Sequence, residues 1–324
     1  YAEGVMDTLP DYLEETLPAA LPFLRQAILP QIIGKRFESP AQLGPILAPW
    51  RGHRMAKAMV EMAFWDLWAK ALDLPLSAAL GGVRDAVEVG VSLGIADIPT
   101  TLERVRVALD GGYRRIKLKI KRGHDIALLA AVRAEFPGAK LTVDANTDYR
   151  LGDLPLLKSM DAFGLDYIEQ PLAFDDIHDH ARLQSQMLTA ICLDESIRSA
   201  TDARHALVAD AARVVNIKVG RVGGFASARA IHDLCAAFDV PVWCGGMLES
   251  GIGRAQNIHL ATLPNFTKPG HTSSASRYFK RDITEQALES DAGLMPVPRH
   301  GPGLGVTLDR AYLDSVSDAP EVFR

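Results

Sequence analysis

The chain has 324 residues, 48% of them hydrophobic and 23% charged, a balance typical of soluble globular proteins and far from that of disordered ones. Lys and Arg number 35 against 40 Asp and Glu, leaving a net charge of −5 and a pI near 6.0. That disfavours nucleic acid or an anionic membrane as the partner, since both select a basic surface.

At ~150 residues per domain the length suggests two domains, and a (β/α)₈ barrel of ~250 residues with an appendage fits equally well. Cys192, Cys235 and Cys244 form no C-x-x-C pair, so buried thiols in a reducing compartment are expected. No run of 18 apolar residues is present, and Tyr1-Ala-Glu-Gly lacks the basic and apolar regions of a signal peptide. A cytoplasmic protein without a membrane span is the expectation.

Residues 1–83 read as helical. From Gly52 to Leu72, Ala56, Val60, Phe64 and Trp68 recur every four residues, widened by Met59, Ala63 and Leu67, an apolar stripe at helical period. Lys57/Glu61 and Asp66/Lys70 are opposite charges at i,i+4 for the remaining surface. Leu74-Pro75 and Leu80-Gly81-Gly82 break the pattern, placing a junction at 73–84. Beyond it, β-branched runs alternate with helical stretches. The expected strands are Val87–Gly94, Arg115–Ile120, Lys140–Asp144, Asp166–Glu169, Ile191–Asp194, Val214–Lys218 and Val240–Cys244. Helix-period segments at 125–135, 175–186, 202–212, 226–238 and 254–263 lie between them. Such alternation implies parallel strands joined by crossover helices. After about residue 290, Met295-Pro-Val-Pro and Gly301-Pro-Gly-Leu-Gly305 read as loop that folds back onto the N-terminal helices.

The charged residues ending the central strands are Lys119, Asp144, Glu169, Asp194 and Lys218, at intervals of 25, 25, 25 and 24 residues. In a barrel core a charge at a strand end is costly. At the C-terminal mouth the same position is where catalytic residues sit. Three carboxylates on adjacent strands need neutralising, and oxygen-only donors point to a hard cation. Mg²⁺ is the expected ion, with Mn²⁺ or another divalent cation as alternatives; separate salt bridges to neighbouring Lys or Arg are the competing reading. Lys119 and Lys218 flank the acids, so a small-molecule carboxylate substrate would present its α-carbon between two amines. Lys117 lies on the same strand face as Lys119, where it can supply a cationic neighbour that lowers a lysine's pKa. The set suits α-proton abstraction with a metal-stabilised enediolate.

Lys117-Leu-Lys119, Val143-Asp-Ala-Asn146, Ile168-Glu-Gln-Pro171, Leu193-Asp-Glu-Ser196 and Asn216-Ile-Lys218 resemble, in order, the motifs of the enolase superfamily. Within its muconate-lactonizing subgroup the chain is similar to the N-acylamino acid racemase / o-succinylbenzoate synthase family. Asn216-Ile-Lys-Val-Gly-Arg-Val-Gly-Gly224 and Trp243-Cys-Gly-Gly-Met247 add to the likeness, which runs from about residue 50 to 310. The resemblance implies an α/β fold: a modified (β/α)₇β TIM-type barrel (85–290) beneath an α+β capping domain. The cap would be made by the N-terminal part (1–84) and a returning C-terminal segment (291–324). In the family an antiparallel sheet and a mobile loop precede the point where Tyr1 aligns, so that piece is expected to lie outside this chain.

The resemblance further implies a metal on Asp144, Glu169 and Asp194, and Lys119 and Lys218 as a two-face acid/base pair that racemises N-acylamino acids, N-succinyl derivatives included. In o-succinylbenzoate synthesis, a dehydration, Lys119 would be the base. Asn216, Ser92 and Met247 are candidate substrate contacts, and Asn146, Glu195 and Arg221 supporting residues around ligands and lysines. A homo-oligomer is expected. Other signals are weak. Gly251-Ile-Gly253 lacks the third glycine of a dinucleotide fingerprint, His178 and His180 fall on different helix faces, and Cys244 has no adjacent His. A Schiff-base aldolase and a non-catalytic barrel are the readings from other classes.

Overall fold

A computed structural model describes residues 1–323. Its main sheet has seven parallel strands in chain order: β2 (Val91–Leu93), β3 (Ile116–Lys119), β4 (Leu141–Asp144), β5 (Ile168–Glu169), β6 (Ile191–Leu193), β7 (Val214–Ile217) and β8 (Val242–Cys244). These strands are almost wholly buried on both faces, as parallel strands covered by helices are. Phe266 bridges Val242 and Gly270 bridges Val89, both parallel, so residues 266–270 close the curled sheet into a ring. Counting β2 as position one, this closing segment is position eight. The result is a seven-stranded βα barrel of the expected α/β class.

The crossover helices start where the sequence offers a cap. Asp97 accepts from Thr100 N at 2.8 Å, Asp176 from Asp179 N at 2.9 Å and Ser250 from Ile252 N at 3.4 Å, each satisfying a donor that the helix leaves free. The helix Ile98–Asp110 was not expected from periodicity, although Asp97 and Pro99 form a cap followed by an N-terminal proline. At the lower end of the barrel Arg115, Tyr167, Cys192 and Trp243 fill the interior. Arg115 donates to Tyr167 Oη at 2.8 Å and lies 4.7 Å above the Trp243 ring, a cation–π contact.

Several expectations need correction. The run 87–94 is two strands, not one: β1 (Ala86–Glu88) pairs antiparallel with β9 (Leu294–Pro296), and β2 opens the barrel. Gly90 divides them because a Cβ there would stand 2.5 Å from Arg115 Nε. The tail beyond 290, read as loop, therefore contains β9 and also a helix, Arg310–Val316. Gly303 exchanges backbone hydrogen bonds with Leu74 and Leu76, and Leu304 N donates to Asp66 Oδ1 at 2.9 Å. Residues 1–16 hold no helix and run as an irregular strap. Its Glu3 accepts from Ser250 N, Ser250 Oγ and Gly253 N, capping the helix Gly251–Leu260.

The helix Arg54–Ala71 packs two faces rather than one. Ala58, Met62, Trp65 and Ala69 join the barrel core, while Met55, Ala56 and Val60 meet the N-terminal helices and Leu67 is exposed. Asp66/Lys70 pair at 2.6 Å, but Lys57/Glu61 do not. Glu61 is buried and accepts from Phe225 N at 2.8 Å, Ala226 N at 2.9 Å and Trp65 Nε1 at 2.7 Å. It caps the helix Phe225–Ala237 from 164 residues away. Cys192, Cys235 and Cys244 are all buried and unpaired. Among the described residues no helix is long and apolar enough to cross a membrane.

Burial raises the Glu61 carboxyl to about 7, against the opposing hydrogen bonds from Ala226 and Phe225. Glu61→Ala should cost about 2–4 kcal/mol in urea unfolding, because three buried donors lose their acceptor. A carboxyl whose folded value lies above its unfolded one loses stability as pH rises between the two. The cost of the substitution should therefore be larger near pH 5 than near pH 8, which unfolding at both values measures.

Candidate active site

The last residues of β3, β4 and β5 stand in register, Lys119 opposite Asp144 and Asp144 opposite Glu169. Asp194 and Lys218 follow the final residues of β6 and β7. The regular βα repeat thus delivers all five to the C-terminal mouth. Asp144, Glu169 and Asp194 are at most 1% exposed, so they cannot be neutralised by solvent, and cations from neighbouring strands meet them instead. Lys117 Nζ bridges Asp144 Oδ2 and Glu169 Oε2 at 2.8 Å each. Lys119 reaches Asp144 at 2.7 Å, Lys218 reaches Asp194 at 2.9 Å, and Arg221 pairs with Asp194. Each of the three acids thus has an ammonium or guanidinium partner, and Lys117 serves two of them.

The electrostatics follow from this pairing. Burial, and then the charges of Asp144 and Asp194, push the Glu169 carboxyl up to about 7. Burial also opposes ionisation of Asp194, but Arg221, Lys218 and Lys117 outweigh it and hold that carboxyl well below the usual range. The lowered value expected from the sequence for a catalytic lysine is not found at Lys218, and Lys117, expected as a cationic neighbour, is raised as well. Burial pulls both down, yet Asp144 and Glu169 for Lys117, and Asp194 for Lys218, outweigh it and raise them.

A cavity of about 270 Å³ opens over the cluster, bordered by Lys117, Lys119, Asp144, Asn146 and Lys218, by Met247 and its neighbours Gly246 and Leu248, and by His271, Val5, Asp7 and Tyr12. Asn146 takes a hydrogen bond from Lys119 and donates to Glu195 Oε1 at 2.9 Å. Arg221 also donates to Ile197 O and Asn216 O, each at 3.0 Å. Asn216 is fully buried, donating to Glu169 Oε1 at 3.0 Å, and lies beneath the cavity rather than on its wall. Ser92 does not border this cavity. It pairs in register with Lys117, one layer below Lys119, and borders a separate space toward the helix Ile98–Asp110.

Three residues were missed. Tyr12, on the strap, accepts from Lys218 Nζ at 2.6 Å and donates to Asp194 Oδ2 at 3.3 Å. No periodicity marks an irregular segment that acts across 206 residues. Gln170, in the Glu-Gln-Pro motif, accepts from Asp194 N at 3.0 Å and Ser196 N at 3.2 Å, fixing the loop that carries Asp194. His271 ends the closing segment of the ring, which sequence reading did not identify as a strand position.

Three buried acids on adjacent strand ends, with no sulfur or imidazole among them, fit a hard divalent cation in donor chemistry. Here each carboxylate leans on a Lys or Arg, and among the described residues no three acidic, His or Cys side chains share one coordination point.

Two family descriptions match the chain: "Mandelate racemase / muconate lactonizing enzyme, N-terminal domain" over residues 20–81 and "Enolase C-terminal domain-like" over 100–312. An N-succinylamino acid racemase from Thermus thermophilus is 54% identical over 316 residues, covering 97% of this chain and 85% of the relative. An o-succinylbenzoate synthase from Geobacillus kaustophilus is 47% identical over 324 residues, covering 100% and 86%. A crystal structure of an enolase-superfamily member from Listeria innocua superposes with a TM-score of 0.96 at 41% identity, over 98% of this chain and 86% of that one.

Lys117→Met removes the ammonium between Asp144 and Glu169. In chelator-containing buffer it should destabilise the protein by about 3–5 kcal/mol, the usual cost of breaking a buried ion pair from one side, as measured by urea unfolding. Enzymes of this superfamily are in general divalent-metal dependent, and by these matches the chain belongs to the mandelate racemase / muconate lactonizing group of the enolase superfamily.

Proposed function

We propose that the protein racemises N-acylamino acids, N-succinylamino acids included, by moving the α-proton between Lys119 and Lys218. The observation that carries this reading is their placement: both border one cavity, from ring positions two and six, with the three acids on the strands between. The 54% identity to a relative named N-succinylamino acid racemase supports it. Asp144, Glu169 and Asp194 would hold Mg²⁺, or Mn²⁺ in its place. Such a cation would supply charge stabilisation to a substrate carboxylate as the α-proton leaves, and would offset the charge of Asp194 that raises Lys218.

The chain's own groups do the proton work. One lysine, as the free amine, takes the proton from its face of the α-carbon and becomes an ammonium. The other, already an ammonium, returns a proton to the opposite face and becomes the amine. The net change is inversion, with no proton lost or gained. Tyr12 and Arg221 orient Lys218 and Asp194, and Asn146 orients Lys119. Residues 1–84 with 291–324 form the cap, and 85–290 the barrel. A second reading, the dehydration that makes o-succinylbenzoate, is favoured by the 47% identity to relatives of that name; the same lysines would serve it, with Lys119 as base.

The test is racemisation and α-proton exchange of N-acetylmethionine and N-succinylmethionine in D₂O. Lys119→Ala and Lys218→Ala should each lower racemisation by at least about 10²–10⁴-fold, the usual worth of a general acid or base. Each variant should still exchange deuterium into one enantiomer, and the two should differ in which one. Wild-type racemisation in either variant would sink the two-base reading. EDTA should abolish activity and Mg²⁺ or Mn²⁺ should restore it; full activity in EDTA would remove the metal from the proposal.

A further inference from the structure

The eight positions around the mouth divide into two halves. Positions three to five end in Asp144, Glu169 and Asp194, with Lys119 and Lys218 at two and six. A substrate carboxylate directed at the acidic half turns the other substituents of its α-carbon toward positions seven, eight and one. There the cavity wall is Gly246, Met247 and Leu248, following β8, and His271, ending the closing segment. Among these four, His271 alone has a polar side chain.

The backbone of His271 is fixed on both sides. Its amide donates to Cys244 O at 2.9 Å, its carbonyl accepts from Ser273 N at 2.9 Å, and Gly270 before it bridges Val89. Its side chain is not similarly fixed: Nε2 is enclosed and has no hydrogen-bond partner. Enclosed polar atoms are nearly always paired, so an unpaired ring nitrogen in a residue that borders the cavity marks a side chain that a ligand can satisfy by drawing the ring toward it. Burial, and then the charges of Lys117, Arg115, Lys218 and Lys119, hold the imidazole uncharged. A neutral imidazole carries one donor and one acceptor. A secondary amide offers the complementary acceptor and donor, so either tautomer finds a partner.

We propose that His271 is the specificity-determining residue for the acyl arm, hydrogen-bonding the amide of an N-acylamino acid and turning that arm toward ring positions seven and eight. The proposal rests on the reading of the chain as an N-acylamino acid racemase. It also accounts for selection of acylated over free amino acids, since a free α-ammonium would face Lys119 and Lys218 with only a neutral ring opposite.

The test compares wild type, His271→Leu and His271→Asn for racemisation of N-acetylmethionine in D₂O with Mg²⁺, alongside their thermal unfolding. Leu approximates the ring's bulk without a hydrogen-bonding group, and Asn restores a donor and an acceptor. Loss of one buried hydrogen bond should raise KM about 10–100-fold in His271→Leu, with kcat within a few-fold of wild type. His271→Asn should recover much of the loss. Unchanged KM in an active His271→Leu, a loss confined to kcat, or no recovery in His271→Asn would each overturn the assignment while leaving the racemase reading intact. Absence of racemisation and exchange in the wild type, with N-acetyl and N-succinyl substrates alike, would overturn the racemase reading itself. If His271→Leu does not fold, His271→Phe takes its place with the same expected outcomes.

Discussion

Burying several carboxylates within a few ångströms of one another is the constraint on which this structure turns. Asp144, Glu169, Asp194 and Glu195 lie at the mouth almost without solvent, and in such surroundings like charges repel far more strongly than in water. Four cations answer four anions: Lys117, Lys119, Lys218 and Arg221. The balance explains why Lys117 and Lys218 hold their protons more tightly than free lysines, against the simple expectation that burial loosens them. It also identifies what would loosen them. A divalent cation and a substrate carboxylate, bound together as proposed, would leave the cluster one positive charge in excess, and excess positive charge is what makes a lysine give up a proton. On the proposed function, the groups that the site binds, and not the protein alone, would free the base.

The barrel makes this clustering affordable by holding each charge at a fixed height. Register places Lys119, Asp144 and Glu169 side by side, and Gln170 secures the turn before Asp194 through two backbone amides. Beneath them, Trp243 lies 5.1 Å from Lys117 Nζ and 4.7 Å from the Arg115 guanidinium. An aromatic floor of this kind accepts cations on its face while excluding water. Among the described residues the ammonium of Lys117 meets the ring below and the two carboxylates above.

What the sequence disclosed is what repeats. A βα unit places one strand end about every 25 residues, so the charges at Lys119, Asp144, Glu169, Asp194 and Lys218 were legible from spacing, and the motifs around them named the superfamily. What it concealed is what depends on contacts between distant segments. Glu61 looks like a surface partner for Lys57 until the helix Phe225–Ala237 is brought against it. Gly90 looks like the interior of a strand until Arg115 occupies the space that its side chain would need. Ser92 stands in register with Lys117, yet the space it borders lies toward the helix Ile98–Asp110. Neither hydrophobic period nor local propensity encodes such facts. They arise from packing, where one side chain fixes the role of another.

The strap carries this furthest. Residues 1–16 have no regular structure, yet they are tied at Glu3 to the helix Gly251–Leu260 and at Tyr12 to Lys218 and Asp194. Glu15 continues the tie by accepting from the first amides of the helix Arg54–Ala71. Backbone without its own ladder of hydrogen bonds is held by such side-chain anchors or not at all. Tyr12 makes the anchoring chemically consequential, because its hydroxyl occupies one of the three donor directions of the Lys218 ammonium. The same residue borders the cavity, beside Val5 and Asp7 of the strap. One phenol thus ties the strap to a lysine and a carboxylate of the cavity at once, from a segment whose pattern reads as helical and whose structure is not.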